Sequence, residues 1–146
     1  KSVINSNDKR TNLLLNKITK IMNNKIKNKN ITFLGVTFKP GTDDMRESSS
    51  LKMIPALTRK GAYINYYEPT GSKKELKSKN TKFFENIKDA CKIADLIIIH
   101  TEWNEFKQLN FKKITKKRNF KVFDMRNLYS TSEMKKNKIN YFSIGR

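Results

Sequence analysis

The run Ile31-Thr-Phe-Leu-Gly-Val-Thr-Phe-Lys-Pro-Gly-Thr-Asp-Asp-Met-Arg-Glu-Ser-Ser-Ser50 limits the possible folds more than any other stretch. It reads as a short apolar strand, a polar loop and the serine-rich start of a helix. That junction recurs down the chain and is the repeating unit of an open α/β sheet. Strands are predicted over residues 31–36, 62–67, 81–84, 95–99, 120–124 and 141–144. Helices are predicted over about 49–60, 86–93, 103–108, 112–117 and 132–136. Residues 95–99 are almost continuously apolar, as in a strand buried on both faces of a parallel sheet. Right-handed crossovers then place helices on both faces. The expected fold is α/β: a Rossmann-like parallel sheet of about five or six strands.

One more helix precedes the sheet. Leu14, Ile18, Ile21, Met22 and Ile26 recur at helical spacing, which predicts a helix over about residues 7–27 capped by Asn7 or Asp8. Ser48, Ser49 or Ser50 can cap the helix over 49–60, and Gly61 stands where a C′ glycine belongs. Pro55 inside that helix predicts a kink or a first-turn placement. Residues 70–80 are rich in Gly, Ser, Lys and Asn and read as a surface loop.

In such a sheet anionic ligands bind at the carboxyl ends of the strands, beside helix N-termini. Three polar segments fall there: 37–46, 101–104 and 125–127. The first carries Lys39 and Arg46, cations suited to a phosphate or diphosphate, or else to a solvated loop. Lys39-Pro40-Gly41 forces a turn in it. Asp43 and Asp44 steady the cations or cap the helix; no His or further acid is placed to complete a metal site. Arg126 follows the strand over 120–124, within reach of the same crevice, with Asp124 to orient it. An exposed strand-end arginine is the plainer alternative.

The other chemistry-bearing residues read blandly. His100, at the end of the most apolar strand, suits a packed core edge. Cys91 suits a buried, inert thiol, and Trp103 a packing anchor. No Gly-x-Gly-x-x-Gly follows any strand, so the dinucleotide fingerprint is missing despite the fold rhythm. No P-loop pattern is present.

Lys and Arg number 32 against 13 acids, a formal charge of +19. That raises nucleic acid as a partner. The lysines are spread along the whole chain, however, and aromatics do not interleave with them as in RNA-binding modules. One cysteine allows no internal disulfide and fits a reducing compartment. No apolar run reaches the roughly 20 residues needed to cross a bilayer. No secretory signal opens the chain, which also lacks an initial Met. The expectation is a cytoplasmic protein, a processed product or a piece of something longer.

Several motifs together resemble one family. Residues 34–48, Leu-Gly-Val-Thr-Phe-Lys-Pro-Gly-Thr-Asp-Asp-Met-Arg-Glu-Ser, resemble the C-terminal domain of the UDP-glucose/GDP-mannose dehydrogenase family, and its UDP-glucose 6-dehydrogenases above all. In the same order follow Gly61-Ala, Tyr67-Glu-Pro69 (Glu68 for the family's Asp), and Ala94-Asp-Leu-Ile-Ile-Ile-His-Thr-Glu-Trp103. Phe123-Asp-Met-Arg-Asn-Leu-Tyr129 comes next, with Met125 for the usual glycine, and Ser143-Ile-Gly-Arg146 closes the chain. Val3-Ile-Asn-Ser-Asn7 resembles the start of the helix leading from the family's central domain.

The resemblance implies a three-part enzyme that oxidises the C6 alcohol of UDP-glucose to a carboxylate with two NAD, supplying polysaccharide biosynthesis. Residues 1–28 then form a linker helix from the central domain, and 29–146 the UDP-sugar-binding domain. Phe38, Lys39 and Arg126 are implied to contact the UDP-sugar, and Arg46 to reach NAD held mainly by an N-terminal domain. No catalytic residue is assigned, because Cys91 does not match the family's glycine-flanked cysteine. Implied partners are the UDP-sugar, the remaining domains of the same enzyme and a homo-oligomer of the full enzyme. Alone, the chain is expected to be inactive.

Three alternatives stay open. One is a basic nucleic-acid-binding module. Another is a fragment of a related UDP-N-acetyl-sugar or GDP-mannose dehydrogenase. The third is an assembly role in which Leu14, Ile18 and Ile21 lie exposed on the first helix.

Overall fold

The computed structural model describes residues 6–145. The first helix, α1, spans Ser6–Ile21, and β1 Asn30–Leu34. Then follow α2 (Ser50–Arg59), β2 (Tyr63–Tyr67), β3 (Thr81–Phe84) and α3 (Ile87–Cys91). The chain closes with β4 (Leu96–Ile99), α4 (Phe111–Ile114), β5 (Lys121–Asp124), α5 (Thr131–Lys136) and β6 (Asn140–Ser143). The described strands form a six-stranded sheet in the order β3-β2-β1-β4-β5-β6. Every neighbouring pair is parallel. The chain therefore winds outward in one direction from β1 and restarts beside it at β4.

Side-chain alternation decides what each face buries. Ile31, Phe33, Leu96, Ile98 and Phe123 point to one face, where Leu14, Ile18 and Ile21 of α1 and Met53, Ile54 and Leu57 of α2 cover them. Leu34, Ile97, Ile99 and Val122 point to the other, under Cys91, Phe111 and Met134. All four residues of β4 are buried, the pattern expected of a central parallel strand. Helices on both faces, as expected, are what this requires.

Several local expectations change. The first helix stops at Ile21, not Lys27, because Asn23 and Asn24 turn left-handed, at φ 55° and 62°. Asparagine tolerates that conformation better than most residues. Ile26 still reaches the core from the turn. The stripe Leu14, Ile18 and Ile21 is buried against the sheet rather than exposed, which removes the assembly reading that needed it. Lys17 and Lys121 reinforce the docking of α1: Lys17 Nζ donates to the Ser143 carbonyl (2.5 Å) and Lys121 Nζ to that of Ile21 (2.6 Å).

Pro55 falls in the middle of α2 rather than in its first turn. Gly61 has φ 96°, as a C′ glycine should, and a Cβ there would meet Lys27 Cγ at 2.9 Å. The helix expected over 103–108 shrinks to a 3-10 turn, Asn104–Phe106, and a second such turn, Lys74–Leu76, lies in the 70–80 loop. The opening of the segment resembling a linker, residues 1–5, lies outside the described residues, as does Arg146.

Candidate functional site

The direction of winding reverses between β1 and β4, so the loops leaving their carboxyl ends diverge and open a crevice. A cleft of about 550 Å³ lies there. Phe38 and Lys39 reach it from the loop after β1, His100 and Glu102 from the end of β4, and Arg126 from the end of β5. Ser48 and Ser49 close it at the start of α2, and Asp8, Arg10 and Thr11 of α1 form a further wall. The cleft is not uniformly positive. Arg10, Lys39, Lys52 and Arg126 share it with Asp8, Glu47 and Glu102. Lys52 forms an ion pair with Asp8, tying α2 to α1.

The loop after β1 owes its shape to buried polar groups. The hydroxyls of Ser48 and Ser50 both donate to the Val36 carbonyl, at 2.6 and 2.7 Å. This brings the two ends of the loop together, and Phe38 N–H bonds the Asp44 carbonyl (3.1 Å) across it. Gly35 begins the loop with φ +79°, and a Cβ there would lie 2.6 Å from Thr101 Cβ. Only glycine lets β1 and the β4 end approach so closely.

From β2 comes a side chain whose role the sequence did not disclose. Glu68 is buried, and its Oε1 accepts from the amides of Val36 (2.9 Å) and Thr37 (3.4 Å). Its Oε2 accepts from Thr70 N–H and Thr70 Oγ1, at 3.0 and 2.7 Å. In a dinucleotide fold an acid at the end of the second strand binds a ribose, and the amides after the first strand face pyrophosphate. Here the acid binds those amides itself. The signal was present in Tyr67-Glu-Pro69, but only the tertiary pairing of β1 with β2 shows where the carboxylate goes.

Arg126 is half-buried. Its Nε donates to the His100 carbonyl (2.8 Å), which aims the guanidinium along the cleft. Burial lowers its pKa from the ordinary value; Glu102 opposes this and Arg10 adds to it. Asp124 does not hold the guanidinium, contrary to expectation. Its Oδ1 accepts from the Arg126 backbone N–H (3.1 Å), and Oδ2 from Tyr129 N–H (3.0 Å) and Tyr141 Oη (2.6 Å). Asp124 thus shapes the turn that carries Arg126. Met125, where glycine was expected from the resemblance, turns its side chain into the core beside Phe123.

Arg46 is not among the residues lining the cleft. It lies exposed on the loop and grips Asp44 through both carboxylate oxygens, each at 3.1 Å. Those bonds lower the Asp44 pKa and raise that of Arg46.

His100 is buried against Phe33 but also meets the cleft. Its Nε2 lies 2.9 Å from Ser49 Oγ and its Nδ1 3.0 Å from Thr101 Oγ1. Burial lowers its pKa to about 3, helped by the Arg126 charge and opposed by the nearby Gly35 backbone, so the ring is neutral at pH 7. Ser49 stands at the N-cap position of α2, yet its side chain makes no capping bond. Cys91 is buried as expected, and its thiol pKa is pushed up to about 12. Trp103 is half-buried against the second core cluster, the packing role read for it.

A three-layer parallel α/β fold with a cleft of mixed charge over the switch point of its sheet defines a Rossmann-like domain. Residues 32–131 match the UDP-glucose/GDP-mannose dehydrogenase family, UDP binding domain. The chain belongs to that family. It is 38% identical over 149 aligned positions to a UDP-glucose 6-dehydrogenase of Rickettsia felis, covering 99% of this chain and 33% of the relative. It is 30% identical to UDP-glucose 6-dehydrogenase TuaD of Bacillus subtilis, covering 99% of this chain and 32% of that protein. The chain therefore spans about a third of the length of the curated relatives it matches.

Solved structures agree in fold. An NDP-N-acetyl-D-galactosaminuronic acid dehydrogenase of Methanosarcina mazei superposes with TM-score 0.76 at 21% identity, over 94% of this chain and 29% of that one. A UDP-glucose dehydrogenase of Pyrobaculum islandicum gives 0.72 at 19%, over 94% and 30%. The family match does not favour the nucleic-acid reading of the basic composition. Among the described residues no helix is long and apolar enough to cross a membrane.

Proposed function

We propose that this chain is the UDP-sugar-gripping part of an NAD-dependent UDP-glucose 6-dehydrogenase acting in the cytoplasm and supplying a sugar acid for polysaccharide biosynthesis. One observation carries the reading: Phe38, Lys39 and Arg126, far apart in sequence, line a single cleft at the switch point. Lys39 supplies a point charge to the diphosphate, and Arg126 a planar fork, pre-aimed by the His100 carbonyl. Phe38, 46% exposed, offers a ring face to the nucleoside or sugar. Holding the sugar nucleotide in one pose is this domain's contribution to catalysis. The nucleophile is assigned to another domain, since Cys91 is buried and its thiol is held protonated.

The residues here do not fit NAD as its main site. Glu68 already occupies the Val36 and Thr37 amides that would face a pyrophosphate. This supports holding NAD chiefly on another domain, with exposed Arg46 contributing from outside the cleft. Residues 1–28 are read as the linker from a central domain, and 29–146 as the binding domain. The working enzyme includes those further domains and is a homo-oligomer. UDP-glucose is favoured over N-acetylated UDP-sugars and GDP-mannose because the Rickettsia felis and Bacillus subtilis relatives, at 38% and 30% identity, carry the UDP-glucose name.

Isothermal titration tests the reading. UDP should bind weakly, at millimolar level, and Lys39→Ala should weaken it roughly tenfold, the loss expected for one charge-assisted contact. An absence of UDP binding, or a Lys39→Ala protein that binds as well as the parent, rejects it.

A further inference from the structure

The proton count around His100 determines what Ser49 presents to the cleft. Thr101 Oγ1 donates its one hydrogen to the Thr37 carbonyl at 2.9 Å. Toward His100 Nδ1, 3.0 Å away, it therefore acts as acceptor, and Nδ1 carries the ring hydrogen. In the neutral ring Nε2 is then a bare acceptor. Its neighbour at 2.9 Å is Ser49 Oγ, so the serine hydroxyl spends its hydrogen on the ring. Ser49 lines the cleft, and all that its oxygen has left to offer there is lone pairs.

We propose that Ser49, oriented by His100, is a ligand-specificity residue that accepts a hydrogen bond from a hydroxyl of the bound nucleotide sugar. An oxygen with only lone pairs repels a phosphate oxygen and welcomes a donor. The cleft is thereby divided. Lys39 and Arg126 take the diphosphate, and Ser49 takes a ribose or hexose hydroxyl beside it. The inference rests on the UDP-sugar reading above and adds to it a group that discriminates between ligands. His100 acts through Ser49 and is a positioning residue. The sequence alone assigned it only to the core edge, because the Thr37–Thr101–His100–Ser49 relay joins the loop after β1 to the end of β4, far apart in sequence.

Ser49→Ala should weaken binding of the ligand that carries the hydroxyl by roughly 3- to 10-fold, the size of one net hydrogen bond. Titrating UDP, dideoxy-UDP lacking both ribose hydroxyls, and UDP-glucose identifies the donor. If the ribose supplies it, the loss vanishes with dideoxy-UDP; if the hexose does, it appears only with UDP-glucose. His100 is the sole histidine of the chain, so its ring nitrogens give an unambiguous long-range proton–nitrogen spectrum. That spectrum should show the Nδ1–H tautomer. The Nε2 signal should move when the hydroxyl-bearing ligand binds, since a donor to Ser49 strengthens the Ser49–His100 bond, and should not move in Ser49→Ala. His100→Gln, which keeps an acceptor facing Ser49, should retain the ligand preference. Equal losses for all three ligands, no loss for any, or an Nε2–H ring overturns the inference and leaves the Lys39 result standing. Loss of the Lys39 effect overturns the reading beneath it.

Discussion

The carboxylate of Glu68 holds the Val36 amide at 2.9 Å, joining the end of β2 to the loop that carries Lys39. The contact satisfies donors that a parallel sheet leaves unpaired at its carboxyl edge. Because the same carboxylate also binds Thr70, it locks two loops at once.

Glu68→Ala should therefore destabilise the domain by about 2–4 kcal/mol, since it strands buried amides. Urea unfolding should show a lower midpoint with an unchanged slope. A variant as stable as the parent would mean that the amides find water or another acceptor.

Arg126→Lys should not preserve ligand binding. A lysine ammonium cannot both donate to the His100 carbonyl and present a planar fork to a diphosphate. UDP affinity is expected to drop about tenfold while the unfolding midpoint hardly moves. Affinity equal to that of the parent would argue that Arg126 contributes only charge.

His100 makes stability depend on pH in a defined direction. Its folded pKa, about 3, lies below the ordinary 6.5. Below pH 6.5 the unfolded chain takes up a proton that the native ring refuses. Stability from this group is thus fully present above pH 6.5 and is lost as pH falls toward 3, by up to about 1.4 kcal/mol per unit. Carboxylates titrate near the lower end of this window, so the difference between the parent and His100→Gln isolates the histidine. Parallel pH–stability curves for the two proteins would show that the native ring takes up its proton over the same pH range as the unfolded one.

Much of the fold was legible because it depends on short-range pattern. Alternating apolar strands and amphipathic helices imposed a parallel sheet with two covered faces, and all six strands fall within a residue or two of their expected places. Helix ends were less legible. Asn23 and Asn24 stop α1 by adopting left-handed geometry, which composition permits but does not require. The 3-10 turn at Asn104–Phe106 is similar: its Phe106 is held by burial against the second core cluster rather than by helical propensity.

The sequence by itself determined the strand rhythm, the cationic loop after β1 and the motifs that mark the family. All of these are local, and each residue's neighbours along the chain suffice to specify them. The tertiary structure alone decided which loops meet. It set Arg126 under the His100 carbonyl, turned Asp124 away from the guanidinium, sent Glu68 to the Val36 amide and linked Ser49 to Thr37 through a buried ring. Hydrogen bonds form between atoms a few ångströms apart in space, and sequence order leaves those distances unspecified until the sheet has paired and twisted.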